Sequence, residues 1–271
     1  MLKKLTAILL SCSLTYSYAQ VMQTYEQKGE LGISAGVGHY FGDLDPNIGL
    51  RNPKFAAGAF YQRQFNNYVG FKMALNYVFL GYSDAYSNNE VQRIRNLSFN
   101  TDVWEASVTG QFNFFKYYPG SEYNFTPYVG LGIGAFYYNP YTYYNGQKIY
   151  LRPLGTEGEN LPGHKQYSDI AVCFPISLGV KYSLNYNINL FAEFCYRFTT
   201  TDYIDDVSGT YQPQAFATGS PASYIQDRSY IYGTPIGIQG RQRGNSSQKD
   251  SYATFEVGIS FNLDNYHCPK Y

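Results

Sequence analysis

Apolar residues recur at every second position through much of this chain. In the stretch 255–263, Phe255, Val257, Ile259, Phe261 and Leu263 share one side while Glu256, Gly258, Ser260 and Asn262 share the other, which is the period of a strand and not of a helix. The same alternation runs through 31–41 (Leu31, Ile33, Ala35, Val37), 68–79 (Val69, Phe71, Met73, Leu75) and 103–115 (Trp104, Ala106, Val108, Phe112). It continues in 126–137, where Val129, Leu131, Ile133 and Ala135 oppose Gly130, Gly132 and Gly134, and in 169–184 and 188–198 across the tight Asn185–Asn187 turn. The segment 54–65 is more weakly patterned. With 255–263 this gives eight predicted strands, most near the length of about ten residues with which a tilted strand crosses a bilayer.

The connections alternate in length. Long polar segments follow the first, third, fifth and seventh strands, at 42–53, 80–102, 138–168 and 199–251, and short ones follow the second, fourth and sixth, at 66–67, 116–124 and 185–187. A closed antiparallel barrel has this asymmetry when short turns face the periplasm and long loops face outward. The predicted fold class is therefore all-β: a closed antiparallel transmembrane β-barrel of eight strands with long extracellular loops and short periplasmic turns. A hairpin inside the fourth long loop would raise the count to ten.

Composition supports a lipid-facing exterior. Charged residues make up 15% of the 271 residues, against about 25% in an ordinary soluble domain, and aromatics reach 19%, with 31 Tyr and 19 Phe. The aromatics Tyr77, Phe79, Phe114, Phe115, Tyr137 and Tyr138 fall at strand ends, where a transmembrane barrel carries its girdles. Net charge is zero, so nothing in the composition points to a nucleic-acid partner. The first nineteen residues read as a signal peptide, with Lys3 and Lys4, the apolar run "LTAILLS" and cleavage after Ala19. A competing reading takes "LLSC" as a lipoprotein site modified at Cys12. Residues 20–29 form a periplasmic leader, 30–263 the barrel and 264–271 a periplasmic tail.

The polar faces hold few charges, nearly balanced: Lys72, Lys181 and Arg197 against Glu105, Glu193 and Glu256. An eight-strand barrel is narrow enough for side chains to fill it, so these six are expected to satisfy one another inside the lumen. Catalytic, cofactor and metal sites are not expected. His39 lies near Asp43 and Asp45 in sequence, an arrangement that would matter only if a barrel enzyme required it; His164 stands in a Gly/Pro-containing loop without a second ligand. The Tyr-rich loop segments 136–150 and 229–238 are either binding surfaces, extensions of the wall or packed on one another. Cys173 and Cys195 both point inward on neighbouring strands and are either bridged or free. Cys268 is left over, as an intermolecular disulfide or an idle thiol.

The segment "GELGISAGVGHYFGDLDP" (29–46) and the closing "HCPKY" (267–271) resemble the end signatures of the PorG barrel proteins of the Bacteroidetes type IX secretion system. The resemblance implies a non-enzymatic outer-membrane component of the secretion and gliding machinery. Such a component anchors a periplasmic ring made by a PorK-like lipoprotein and a PorN-like protein. On this chain the contacts implied fall on the short turns, the leader and the tail, with Tyr266, His267, Cys268 and Pro269 as partner-binding candidates. The alternative is a stand-alone small barrel that binds extracellular ligands through its Tyr-rich loops.

Overall fold

The computed structural model describes residues 29–46 and 52–263. The signal peptide, most of the leader and the tail with Tyr266, His267, Cys268 and Pro269 lie outside the described residues. Among the described residues ten strands form: β1 (Glu30–Phe41), β2 (Lys54–Gln64), β3 (Val69–Ser83), β4 (Ser98–Asn113), β5 (Phe125–Tyr137), β6 (Tyr141–Tyr144), β7 (Gln147–Tyr150), β8 (Ile170–Ser183), β9 (Ile188–Thr199) and β10 (Ser251–Asn262). Their order is β3-β2-β1-β10-β9-β8-β5-β4, and an additional β3–β4 pairing closes the ring. All pairs are antiparallel. The protein is thus a closed eight-stranded antiparallel barrel, in which closure leaves no strand edge of the wall without hydrogen-bond partners.

The two further strands are the β6–β7 hairpin, attached to β4 through Asn100 and Tyr141. It arises in the third long loop and not in the fourth, where the sequence suggested one. The fourth loop instead folds into short helical turns, including α2 (Pro221–Gln226), while α1 (Glu90–Arg95) sits in the second. That second loop is also shorter than the periodicity implied, because β3 continues to Ser83 and β4 starts at Ser98. The inward residues of this extension, Leu80, Tyr82, Phe99 and Thr101, are buried, so the pairing is held by packing above the membrane. The last strand likewise begins at Ser251, four residues before the predicted Phe255.

The predicted faces separate as inside and outside. Trp104, Leu131 and Leu75 are 61%, 61% and 68% exposed on the outer wall, with Val108, Ile133, Leu178, Phe255 and Val257 beside them. A continuous exposed apolar belt of this kind has no favourable contact with water, and around a closed barrel it is the lipid-facing band of an outer-membrane protein. Among the described residues no helix is long and apolar enough to cross a membrane, so the strands carry the crossing. Phe114, Phe115 and Tyr137 are exposed at strand ends, as a girdle requires, but Tyr138 is fully buried and belongs to the loops.

The glycine-rich inner faces make room for large rings from neighbouring or facing strands. A Cβ on Gly32 would sit 2.3 Å from the Phe60 ring, and one on Gly179 would sit 2.5 Å from that of Tyr128. Small residues on one strand thus receive aromatic rings from another, which fills a narrow lumen at close packing.

Candidate functional site

Two ion-pair layers fill the bore. In the middle, Lys72 Nζ lies 2.7 Å from both oxygens of Glu193, and the Tyr128 hydroxyl donates to Glu193 Oε2 at 2.8 Å. Nearer the extracellular side, Arg197 Nε donates to Glu105 Oε2 at 2.6 Å, joined by the Tyr252 hydroxyl at 2.7 Å and by Asn76 Nδ2 on the other oxygen at 2.9 Å. The Arg197–Glu105 pair is buried and the Lys72–Glu193 pair largely so, which is tolerable because each carboxylate also receives a neutral donor. The six expected lumen charges therefore form two pairs and two separate residues. Lys181 donates to the Gln111 side-chain carbonyl at 3.0 Å and lies 4.8 Å from the Tyr128 ring centroid, and Glu256 accepts from the Ser34 hydroxyl. A seventh charge, Glu30, is also buried in the lumen and accepts from the Ser260 hydroxyl. Its place at the very start of β1 gave no periodic signal.

At the periplasmic end the three short turns are tied to one another. The Tyr117 N–H donates to the Asn67 carbonyl of the first turn, and its hydroxyl crosses to Asn189 Oδ1 on β9 at 3.0 Å. Tyr118 and Tyr186 join hydroxyls at 3.1 Å, the Gly120 N–H donates to Ser183 Oγ, and Asn262 Nδ2 donates to the Tyr186 carbonyl. Periodicity located the turns but gave no hint that they meet.

The extracellular end is sealed by a cap that the sequence did not announce. Above the ion pairs the lumen turns apolar, with Val78, Leu80, Phe99, Val103 and Phe136 buried in one cluster with Leu44, Leu151, Ile204, Val207 and Ile225 from the loops. Two arginines cross-link the loops. Arg95 holds both oxygens of Asp84 at 2.8 Å and donates to the Asp43 and Arg243 carbonyls. Arg243 reaches Glu157 at 3.0 Å and the Asp206 carbonyl at 2.5 Å. The Tyr40 hydroxyl lies 2.6 Å from Asp205 and 2.9 Å from Asp250; a single hydroxyl proton serves one ionised carboxylate, so the second contact is a hydrogen bond when one carboxyl keeps its proton. Burial, then the neighbouring charges of Asp43 and Asp205 respectively, holds the Asp205 and Asp250 carboxyls well above the ordinary range. Tyr138, Tyr167 and Tyr203 stack in the cap with ring planes within 10°. Of the readings open for the segments 136–150 and 229–238, packing of loop on loop accounts for Tyr138, which stacks on Tyr167, and for Tyr144 and Tyr230, which both meet Tyr224.

The segment "YFGDLDP" forms the base of this cap. Tyr40 reaches the Asp205–Asp250 pair, Asp43 Oδ2 accepts the Asn245 N–H at 2.7 Å, and Leu44 is buried in the apolar cluster. His39 Nε2 lies 3.2 Å from Asp45 Oδ2, with its ring edge-on to Phe41. His164 is exposed in the third loop. Cys173 and Cys195 are buried and free. Cys173 faces Thr199 and Cys195 faces Ser177, an offset of four residues or roughly 13 Å along the strand, well beyond a disulfide's reach. Among the described residues no cluster of His, Cys, Asp or Glu is arranged to hold a metal.

A family model described as a domain of unknown function, DUF6089, matches residues 3–218, which spans the "YFGDLDP" base and seven of the eight wall strands. The chain belongs to the DUF6089 family. No curated protein matches it. Among solved structures, this DUF6089 barrel is similar to Ail, the attachment invasion locus protein of Yersinia pestis, in complex with the heparin analogue sucrose octasulfate (11% identity, TM-score 0.42, covering 88% of this chain and 99% of that one). It is also similar to Neisserial surface protein A (9%, TM-score 0.43, 87% and 97%) and to the outer membrane protein OprG of Pseudomonas aeruginosa (10%, TM-score 0.40, 89% and 98%).

Proposed function

We propose that this DUF6089 protein is a non-enzymatic outer-membrane anchor for a periplasmic assembly, the PorG-like barrel of a type IX secretion and gliding machinery. In this reading a PorK-like lipoprotein and a PorN-like ring protein are its partners. The observation that carries the reading is closure of the bore beside joined turns: a lumen filled by two ion-pair layers and sealed by a cap does not serve transport, whereas the 65–68, 114–124 and 184–187 turns offer one hydrogen-bonded surface to the periplasm. The resemblance of 29–46 to the PorG signature supports the same reading, as does the place of Gly29 and Leu263, the two ends of the described barrel, beside those turns, where the Leu263 N–H donates to the Gly29 carbonyl. The tail residues Tyr266, His267, Cys268 and Pro269 would extend that contact.

Photo-crosslinkers placed at Tyr118 and Glu122 test it in intact cells. Capture of a periplasmic lipoprotein that stays with the barrel through detergent extraction is the expected result. A correctly folded barrel that captures no periplasmic protein from either position would end the proposal.

A second reading, a barrel that binds extracellular ligands through its loops, draws on Tyr143 and Tyr232, which are 54% and 62% exposed and outside the stacked column. It predicts function that survives replacement of the periplasmic turns.

A further inference from the structure

The extracellular cap contains a cleft of about 330 Å³ between α1 and the 236–245 segment, within the size range of small-molecule sites. Three arginines line it, Arg95, Arg241 and Arg243, against one acid, Asp43. Arg95 and Arg243 are held from behind by Asp84 and Glu157. Arg241 is different. It is exposed, its Nη1 donates to the Ile236 carbonyl at 3.2 Å, and among the described residues it has no carboxylate partner. Tyr211 contributes to the same wall, and its hydroxyl is buried without a hydrogen-bond partner, with Arg243, Asp227, Arg95 and Asp84 as charged neighbours. A buried hydroxyl left without a partner is unfavourable, and a carboxylate oxygen that reached it would supply the missing acceptor.

The remaining lining argues for more than a bare ion. Val91 and Ile236 give an apolar wall that suits the C–H face of a pyranose ring. Gln92 accepts from Ser87 through its carbonyl, which leaves its amide N–H groups to meet hydroxyls. We propose that this cleft binds an acidic sugar, with the carboxylate on Arg241 and Tyr211 and the ring against Val91 and Ile236. The site faces the exterior, so it stands apart from the periplasmic anchoring reading.

The test is ligand-observed NMR titration of the full mature protein in detergent micelles, using glucuronate, glucose and acetate. Saturable, low-millimolar binding of glucuronate is expected, with Arg241→Gln weakening it about tenfold and Arg241→Lys retaining part of it, as the loss of one charge-assisted contact requires. Glucose and acetate should each bind about tenfold more weakly. Because Arg241 is exposed, both variants should keep the heat-modifiable mobility of the folded barrel, and Tyr211→Phe should weaken binding to a lesser degree. Absence of saturable glucuronate binding, or binding that Arg241→Gln leaves unchanged, overturns the site. Equal binding of glucose overturns recognition of the acid, and equal binding of acetate overturns recognition of the ring.

Discussion

The Tyr128 ring lies over Gly179 in the lumen, so close that a Cβ on the glycine would meet the ring at 2.5 Å and the Ala192 carbonyl oxygen at 2.7 Å. The same tyrosine donates to Glu193 at 2.8 Å, so this packing holds the central ion pair in place. Gly179→Ala should lower barrel stability by about 1–3 kcal/mol, the usual cost of overpacking, since the backbone oxygen cannot move aside. Tyr128→Phe should cost about 1.5–3 kcal/mol through the lost hydrogen bond to a charged acceptor. Urea titration followed by heat-modifiable mobility reads both; an unaffected Gly179→Ala would mean that the ring does not occupy this space.

Arg197 and Glu105 pair at 2.6 Å with both side chains buried. Arg197→Met leaves Glu105 with its Tyr252 and Asn76 donors but no counter-charge, which should cost about 3–5 kcal/mol. Adding Glu105→Gln should return part of that loss, and the coupling in a double-mutant cycle measures the pair. Additive losses would show that the two side chains do not depend on each other.

Burial pushes Asp206 up to about 7 despite opposition from Arg243, and Asp202 to about 6. A carboxyl with a raised value in the folded cap binds its proton more tightly there than in an open loop. Its contribution to cap stability is therefore full at low pH and is lost as pH rises from the ordinary 3.8 through the raised value. Hydrogen exchange across 200–250 should accelerate as pH rises from about 4 to about 7, beyond the intrinsic pH dependence of exchange. Asp206→Asn should flatten this response, and the substitution keeps the left-handed φ of 64° accessible. A cap equally protected at both ends of that range would refute the assignment.

Leu131 projects from the middle of β5 and is 61% exposed. Leu131→Arg should cost about 2–4 kcal/mol in a bilayer if hydrocarbon is its solvent. Folding into lipid vesicles of defined composition measures the cost, and a neutral outcome would place water, not lipid, against that wall.

Period-2 alternation in the sequence was enough to determine the barrel itself, because Trp104, Leu131, Val257 and their neighbours alternate with small or polar residues at the one spacing a strand allows. The uneven connections gave the closed topology and its direction for the same local reason. Only the tertiary structure decided what the enclosed groups do. Lys72 met Glu193 and Arg197 met Glu105, while Lys181 and Glu256 took neutral partners, because the stagger of the strands sets which inward residues share a level. The extracellular cap was least legible: Asp205, Asp250 and Tyr40 lie far apart in the chain, and loops carry no repeating pattern to reveal which of their charges will be buried together.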